Sequence, residues 1–256
     1  MTVPGLMYGY DDLVDRAEII RQRIHGKTII GLAGPDGITP DAIGYAYLED
    51  SWAPFSGIHE QQGLAVLMLP GVTHTVDPQR IAAIRLIKLL GGRFLIMVGY
   101  CTALRARIPE RSVVLIADHV NLTGKNPLVG SNDDRIGPRF SSMTEPYDLR
   151  LLDRAERSAL EVGITAPRCV FAGVGASPTP AECRYLANTG ADIYGFGIIS
   201  DTIIAQHAGL PVIAAADVIA RRVPEGPVSQ DTVQADTGAL SDNLLGMVER
   251  LVRSLH

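Results

Sequence analysis

The feature that most constrains this chain is alternation: short apolar runs recur along it, each separated from the next by a segment with helical spacing. Residues 10–24 place Leu13, Ala17, Ile20 and Ile24 on one helical face, with polar residues between them. Residues 27–32 (KTIIGL) read as a buried strand entering a turn-rich stretch at 33–37. A strand at 64–69, a loop at 70–78 and a helix at 81–90, stopped by Gly91-Gly92, come next. Strands follow at 94–98 and 112–117, then a helix at 148–162 and a strand at 169–173. A helix at 180–189, a strand at 193–196, a helix at 200–208, a strand at 211–216 and a long amphipathic helix at 240–255 complete the series. Strands alternating with helices define an α/β protein with a central, largely parallel sheet covered by helices.

Several classes of function are excluded by what the chain lacks. Net charge is −5 with no basic block, which disfavours nucleic acid and anionic membrane as partners. The longest apolar runs, such as 94–98 and 212–216, are far too short to span a bilayer. The N-terminal residues show no basic flank followed by an apolar run, so they do not read as a signal peptide, and the expected location is the cytoplasm. Cys101, Cys169 and Cys183 are odd in number and widely spaced, so buried thiols are expected rather than a metal site or a disulfide framework. Residues 1–256 suit a single domain, with 222–237, rich in proline, glycine and polar residues, as a loop inside it.

Two stretches carry more than a fold class. One runs Ala117-Asp118-His119-Val120-Asn121-Leu122-Thr123-Gly124, through Asn126-Pro127-Leu128-Val129-Gly130, to Asn132-Asp133. The other is Arg139-Phe140-Ser141-Ser142-Met143-Thr144-Glu145-Pro146-Tyr147-Asp148. Together they resemble the middle segment of trimeric purine nucleoside phosphorylases and methylthioadenosine phosphorylases. Thr179-Pro180-Ala181-Glu182-Cys183-Arg184 and Ala205-Gln206-His207-Ala208-Gly209-Leu210 extend the likeness downstream. The resemblance implies a nucleoside phosphorylase fold, a distorted mixed sheet flanked by helices, assembled as a homotrimer. It makes Phe140 a candidate to cover the sugar bound by a neighbouring subunit; the alternative is that Phe140 only packs an interface. Asp118, His119 and Asn121 read as scaffold and interface residues.

Phosphorolysis needs a phosphate held against the anomeric carbon, where its charge stabilises a cationic transition state, and a proton or strong hydrogen bond for the departing purine. By resemblance, the phosphate-binding serine loop corresponds to Gly34-Pro35-Asp36-Gly37, which has no serine and gains a carboxylate. The GRxH loop becomes Gly71-Val72-Thr73-His74, keeping the histidine and losing the arginine. The Asn-Ala-Ala-Gly turn becomes Gly99-Tyr100-Cys101-Thr102, and the Met-Ser pair becomes Phe196-Gly197. On the purine side Phe-Glu becomes Ser177-Pro178, the asparagine aligns with Ala220, and Asp217 is either a base contact or a solvated loop residue. His74 and Asp36 are the catalytic candidates: His74 to bind an anion or shuttle a proton, Asp36 to orient or deprotonate a water or simply to support its turn. Gly34, Gly37, Tyr100, Phe140, Ser177, Phe196, Gly197 and Asp217 are the binding candidates.

Three readings follow from this pattern. The first is an enzyme acting on the N-glycosidic bond of a nucleoside or nucleoside-like metabolite with altered specificity, with phosphate as co-substrate and neither a cofactor nor a metal. The second replaces phosphate by water, with Asp36 as general base. The third is a non-catalytic protein that either senses a ligand or serves as partner subunit in a mixed trimer with a paralogue, lending Phe140 to another active site.

Overall fold

A computed structural model describes residues 9–35, 46–49, 55, 57–61, 63–69, 76–223 and 240–254. The described residues fall into two compact units, one drawn from within Met1–Met97, Asn126–Pro146 and Ser200–Val212, the other from within Val98–Lys125, Tyr147–Ile199 and Ile213–His256.

In the first unit, helix α1 (Tyr10–Arg23) leads into strand β1 (Thr28–Ala33), followed by β2 (Ala46–Glu49), β3 (Gly57–Gln61) and β4 (Leu64–Met68). The strand order is β2-β3-β4-β1, continued by the start of β5 (Leu95–Ala103). β1 runs parallel to β4 and β5, whereas β3 is antiparallel to both β2 and β4. Helix α2 (Pro78–Leu89) begins with Asp77 accepting from the Gln79 amide at 2.9 Å and a proline in the first turn, where no N–H is needed. Leu13, Ala17, Ile20 and Ile24 are each at most 2% exposed, so the spacing read from the sequence is the buried face of α1. Helix α5 (Ile198–His207) reaches this unit at Ser200.

In the second unit the strand order is β5-β8-β7-β6-β9, and β9 pairs back onto β5, closing a ring of five strands. These strands are β6 (Val113–Leu122), β7 (Arg168–Val174), β8 (Ile193–Gly195) and β9 (Val212–Arg221). β6, β7 and β8 are mutually parallel; β5 is antiparallel to β8 and β9 to β6. The sheets are therefore mixed, not largely parallel as alternation alone suggested. Closure explains the difference, because an antiparallel strand joins the ring without its own crossover helix.

Three helices of this unit begin at side-chain caps. α3 (Leu149–Glu161) starts at Asp148, α4 (Pro180–Asn188) at the Thr179/Glu182 capping box, and α6 (Asp242–Arg253) at Ser241. α6 buries Leu244, Met247, Val248, Leu251 and Val252, each contributing about 1.5–3 kcal/mol of gross apolar burial.

The strands are longer than their apolar runs. β5 continues through Gly99-Tyr100-Cys101-Thr102, expected to be a turn, because β8 pairs along it, with Cys101 opposite Gly195. β6 continues through Asp118, His119 and Asn121 because β7 hydrogen-bonds to it as far as Leu122. Ladder pairing rather than burial sets these ends. Cys101, Cys169 and Cys183 are free and buried. Burial raises the Cys101 thiol well above its usual range and pushes Cys169 up to about 12, so neither is a ready nucleophile. Most of the 222–237 segment lies outside the described residues.

Candidate active site

The second unit brings together four of the residues nominated from sequence. Cys101 pairs with Gly195 in antiparallel register, which sets Tyr100 across from Phe196 just past the end of β8. Both rings are half-buried, and Tyr100 shares a face of β5 with Thr102, which pairs with Tyr194 of β8. Gly197 follows with φ 83°, a left-handed conformation that turns the chain into α5 and that a side chain would strain. Gly173 of β7 pairs in parallel with Gly195, so the loops after β7 and β8 leave from the same strand edge. Ser177 lies exposed on the first of these loops, and Phe196 and Gly197 form the second. The carboxyl ends of parallel strands are where α/β sheets place their ligands.

A guanidinium also belongs to this neighbourhood, and it was missed in the sequence. Arg222 follows β9, its amide donates to the Ala103 carbonyl at 2.8 Å, and its Nη1 donates to the Pro178 carbonyl at 3.4 Å. Its charge acts on the buried Cys183 thiol and Tyr194 phenol, both raised mainly by burial. Arg222 thus stands beside the Ser177-Pro178 loop. No local pattern announces this position, because it depends on β9 closing against β5. In sequence it reads only as the start of a polar segment.

Asp217 does not join this group. It pairs with Val113, the first residue of β6, whereas Ser177 lies beyond the end of β7, which pairs with Leu122, the last residue of β6. It is neither solvated nor on a loop: it is buried in β9, and both carboxylate oxygens are engaged by Ser241, through the amide at 2.7 Å and the hydroxyl at 2.6 Å. Burial raises its carboxyl, and the two Ser241 hydrogen bonds oppose that shift.

Two nominated residues lie in the first unit. Gly34 is buried immediately after β1. Phe140 is 88% exposed, with the Arg139 guanidinium 5.7 Å from its ring centre and Arg139 itself donating to the Leu128 carbonyl at 3.2 Å. Asp36, Gly37 and His74 lie outside the described residues. His119 bonds the buried Tyr147 hydroxyl at 3.1 Å in an edge-on ring contact, as suits a scaffold residue. Among the described residues there is no cluster of metal-ligating side chains and no helix long and apolar enough to cross a membrane.

The sequence matches the phosphorylase superfamily over residues 55–253. Purine nucleoside phosphorylase 1 of Bacillus subtilis (strain 168) is 30% identical over 199 residues, 75% of this chain and 73% of the relative. Purine nucleoside phosphorylase 1 of Geobacillus stearothermophilus is 29% identical over 202 residues, 76% and 74% of the two chains. Among solved structures, a Schistosoma purine nucleoside phosphorylase in complex with hypoxanthine superposes with a TM-score of 0.83 at 25% identity, over 97% of this chain and 98% of that one. Sequence and fold together place the chain in the phosphorylase superfamily, as a member of the nucleoside phosphorylase family.

Proposed function

We propose that the protein cleaves the N-glycosidic bond of a purine nucleoside or nucleoside-like metabolite by phosphorolysis, with phosphate as co-substrate and no further cofactor. The observation that carries this is the span of the family match: residues 55–253 include Tyr100, Ser177, Phe196, Gly197 and Arg222. A phosphate oxygen attacks the anomeric carbon as the carbon–nitrogen bond breaks. The bonding pair leaves with the purine, which takes up a proton. Tyr100 and Phe196 present aromatic surface to the base, and Arg222 stands beside the Ser177 loop as a donor. By resemblance, His74 contacts the phosphate, and the backbone N–H groups of Gly34, Gly37 and Gly197 donate to it.

The replaced polar contacts imply a specificity departed from that of the enzymes it resembles. Residues 1–256 act as one domain in a cytoplasmic homotrimer in which Phe140 covers a neighbour's sugar. Light scattering tests the trimer, which requires three times the 27.4 kDa chain mass.

The activity is tested by incubating the purified protein with a panel of purine nucleosides and methylthioadenosine, with and without phosphate, and measuring free base by chromatography. Base release that depends on phosphate supports the proposal. Release without phosphate overturns it in favour of hydrolysis with Asp36 as base. No release from a folded protein overturns nucleoside cleavage and leaves a partner-subunit role.

A further inference from the structure

The segment Asn126–Pro146, which carries Phe140, is fastened to the last two residues of α5. His207, only 2% exposed, bonds through Nε2 to Asn132 Oδ1 at 2.9 Å. Asn132 uses its amide nitrogen to donate to Asp134 Oδ1 at 2.8 Å and to the Gly137 carbonyl at 2.9 Å. Its Oδ1 is therefore the acceptor, and His207 carries its proton on Nε2. The Gly137 backbone lies so close to the helix end that a Cβ there would sit 1.9 Å from the His207 carbonyl oxygen. At the far end of the segment, Gln206 Nε2 donates to the Pro146 carbonyl at 3.0 Å.

Two consecutive residues of one helix thus hold the middle and the end of the segment, and Phe140 stands exposed between these points. The other ring nitrogen of His207, Nδ1, is buried with no hydrogen-bond partner among the described residues. Burying an imidazole with one nitrogen unsatisfied is costly, and the side-chain hydrogen bond that this placement makes is the one from Nε2 to Asn132.

We propose that His207 is a positioning residue for nucleoside binding, mounting the Phe140-bearing segment on α5 and so fixing how that ring is presented to the sugar. This rests on the reading that Phe140 covers bound substrate. His207 itself touches no reacting atom.

Two measurements on the intact protein test it. The first is limited trypsin cleavage after Arg139, followed by mass spectrometry, which needs no activity. His207→Ala speeds this cut about tenfold while cuts outside Asn126–Pro146 keep their rates, because local opening rather than global unfolding governs it. His207→Gln, whose side-chain amide supplies an N–H near the position of Nε2, restores the wild-type rate. Asn132→Ala removes the acceptor from the segment's side and reproduces the loosening, should His207→Ala fail to fold.

The second is steady-state turnover of inosine with phosphate. His207→Ala raises the KM for inosine about tenfold and leaves kcat and the phosphate KM within about twofold. Added to Phe140→Ala, it raises the inosine KM no further, because it acts through that ring. An unchanged cut after Arg139, or effects of His207→Ala and Phe140→Ala that simply add, would overturn the proposal. A loosened segment in a protein that turns over no nucleoside overturns the role in nucleoside binding together with the proposed function, while the mount itself stands.

Discussion

Arg80 is a cation in the first turn of α2, the end of a helix that repels positive charge, and it is 3% exposed. It is held there by Asp201 in the first turn of α5, also 3% exposed: Nε reaches the two carboxylate oxygens at 3.3 and 3.1 Å, and Nη2 bonds Oδ2 as well. Desolvation raises the Asp201 carboxyl and Arg80 pulls it back down, so each charge depends on the other. Arg80→Ala is expected to cost about 3–5 kcal/mol in urea unfolding, because it strands a buried carboxylate. The apolar pair Arg80→Met with Asp201→Leu should recover most of that loss. A single variant that unfolds at the wild-type midpoint would show that water reaches the pair. Arg222 makes a different prediction, about function. Arg222→Gln should raise the nucleoside KM about tenfold with the phosphate KM unchanged, the loss of one charged hydrogen bond to the base side. An equal effect on the phosphate KM would move Arg222 to the anion.

At the scale of elements, α6 and β9 are joined through one residue. Ser241 caps α6 by accepting from the Leu244 amide at 3.2 Å, while its own hydroxyl and amide satisfy Asp217. Ser241→Ala should therefore cost more than an ordinary cap, about 1–2 kcal/mol, which lowers the melting temperature by several degrees. A shift below one degree would mean that another donor replaces the serine. The helices were legible in sequence because their signals are local: the four apolar positions of α1, the start of α4 at Pro180 and the glycine stop at Gly91 after α2 all sit where they were read. Strand ends and strand direction were not. Gly99–Thr102 and Asp118–Leu122 are held by partners distant in sequence, and β2 and β3 lack the apolar run that marks a buried strand. The same reason hid Arg222 and misplaced Asp217. Tyr100, Phe196, Gly197 and Ser177 were nominated through resemblance, and the register of β5, β7 and β8 brings them to one edge.

For the whole molecule, acid sensitivity follows from two histidines, His207 buried and His119 half-buried. Burial keeps His207 below the usual histidine range, helped by the Arg85 charge and opposed by the Gly137 backbone. His119 is lowered by burial as well, with Asp118 opposing. The unfolded chain therefore binds protons that the folded chain refuses once the pH drops below about 6.5. Stability falls from there by up to about 1.4 kcal/mol per pH unit for each such histidine. Asp201 and Asp217, raised by burial, act with the opposite sign at lower pH, so the comparison that isolates His207 is wild type against His207→Gln. The variant should lose less stability between about pH 7 and about pH 5; equal losses would show that His207 titrates normally. The central claim concerns what happens to phosphate, and it is tested most directly by phosphorus NMR of the protein with a purine nucleoside and inorganic phosphate. The site as read predicts a new sugar-phosphate resonance that grows in step with the base released. Base release with the inorganic phosphate signal undiminished would contradict it.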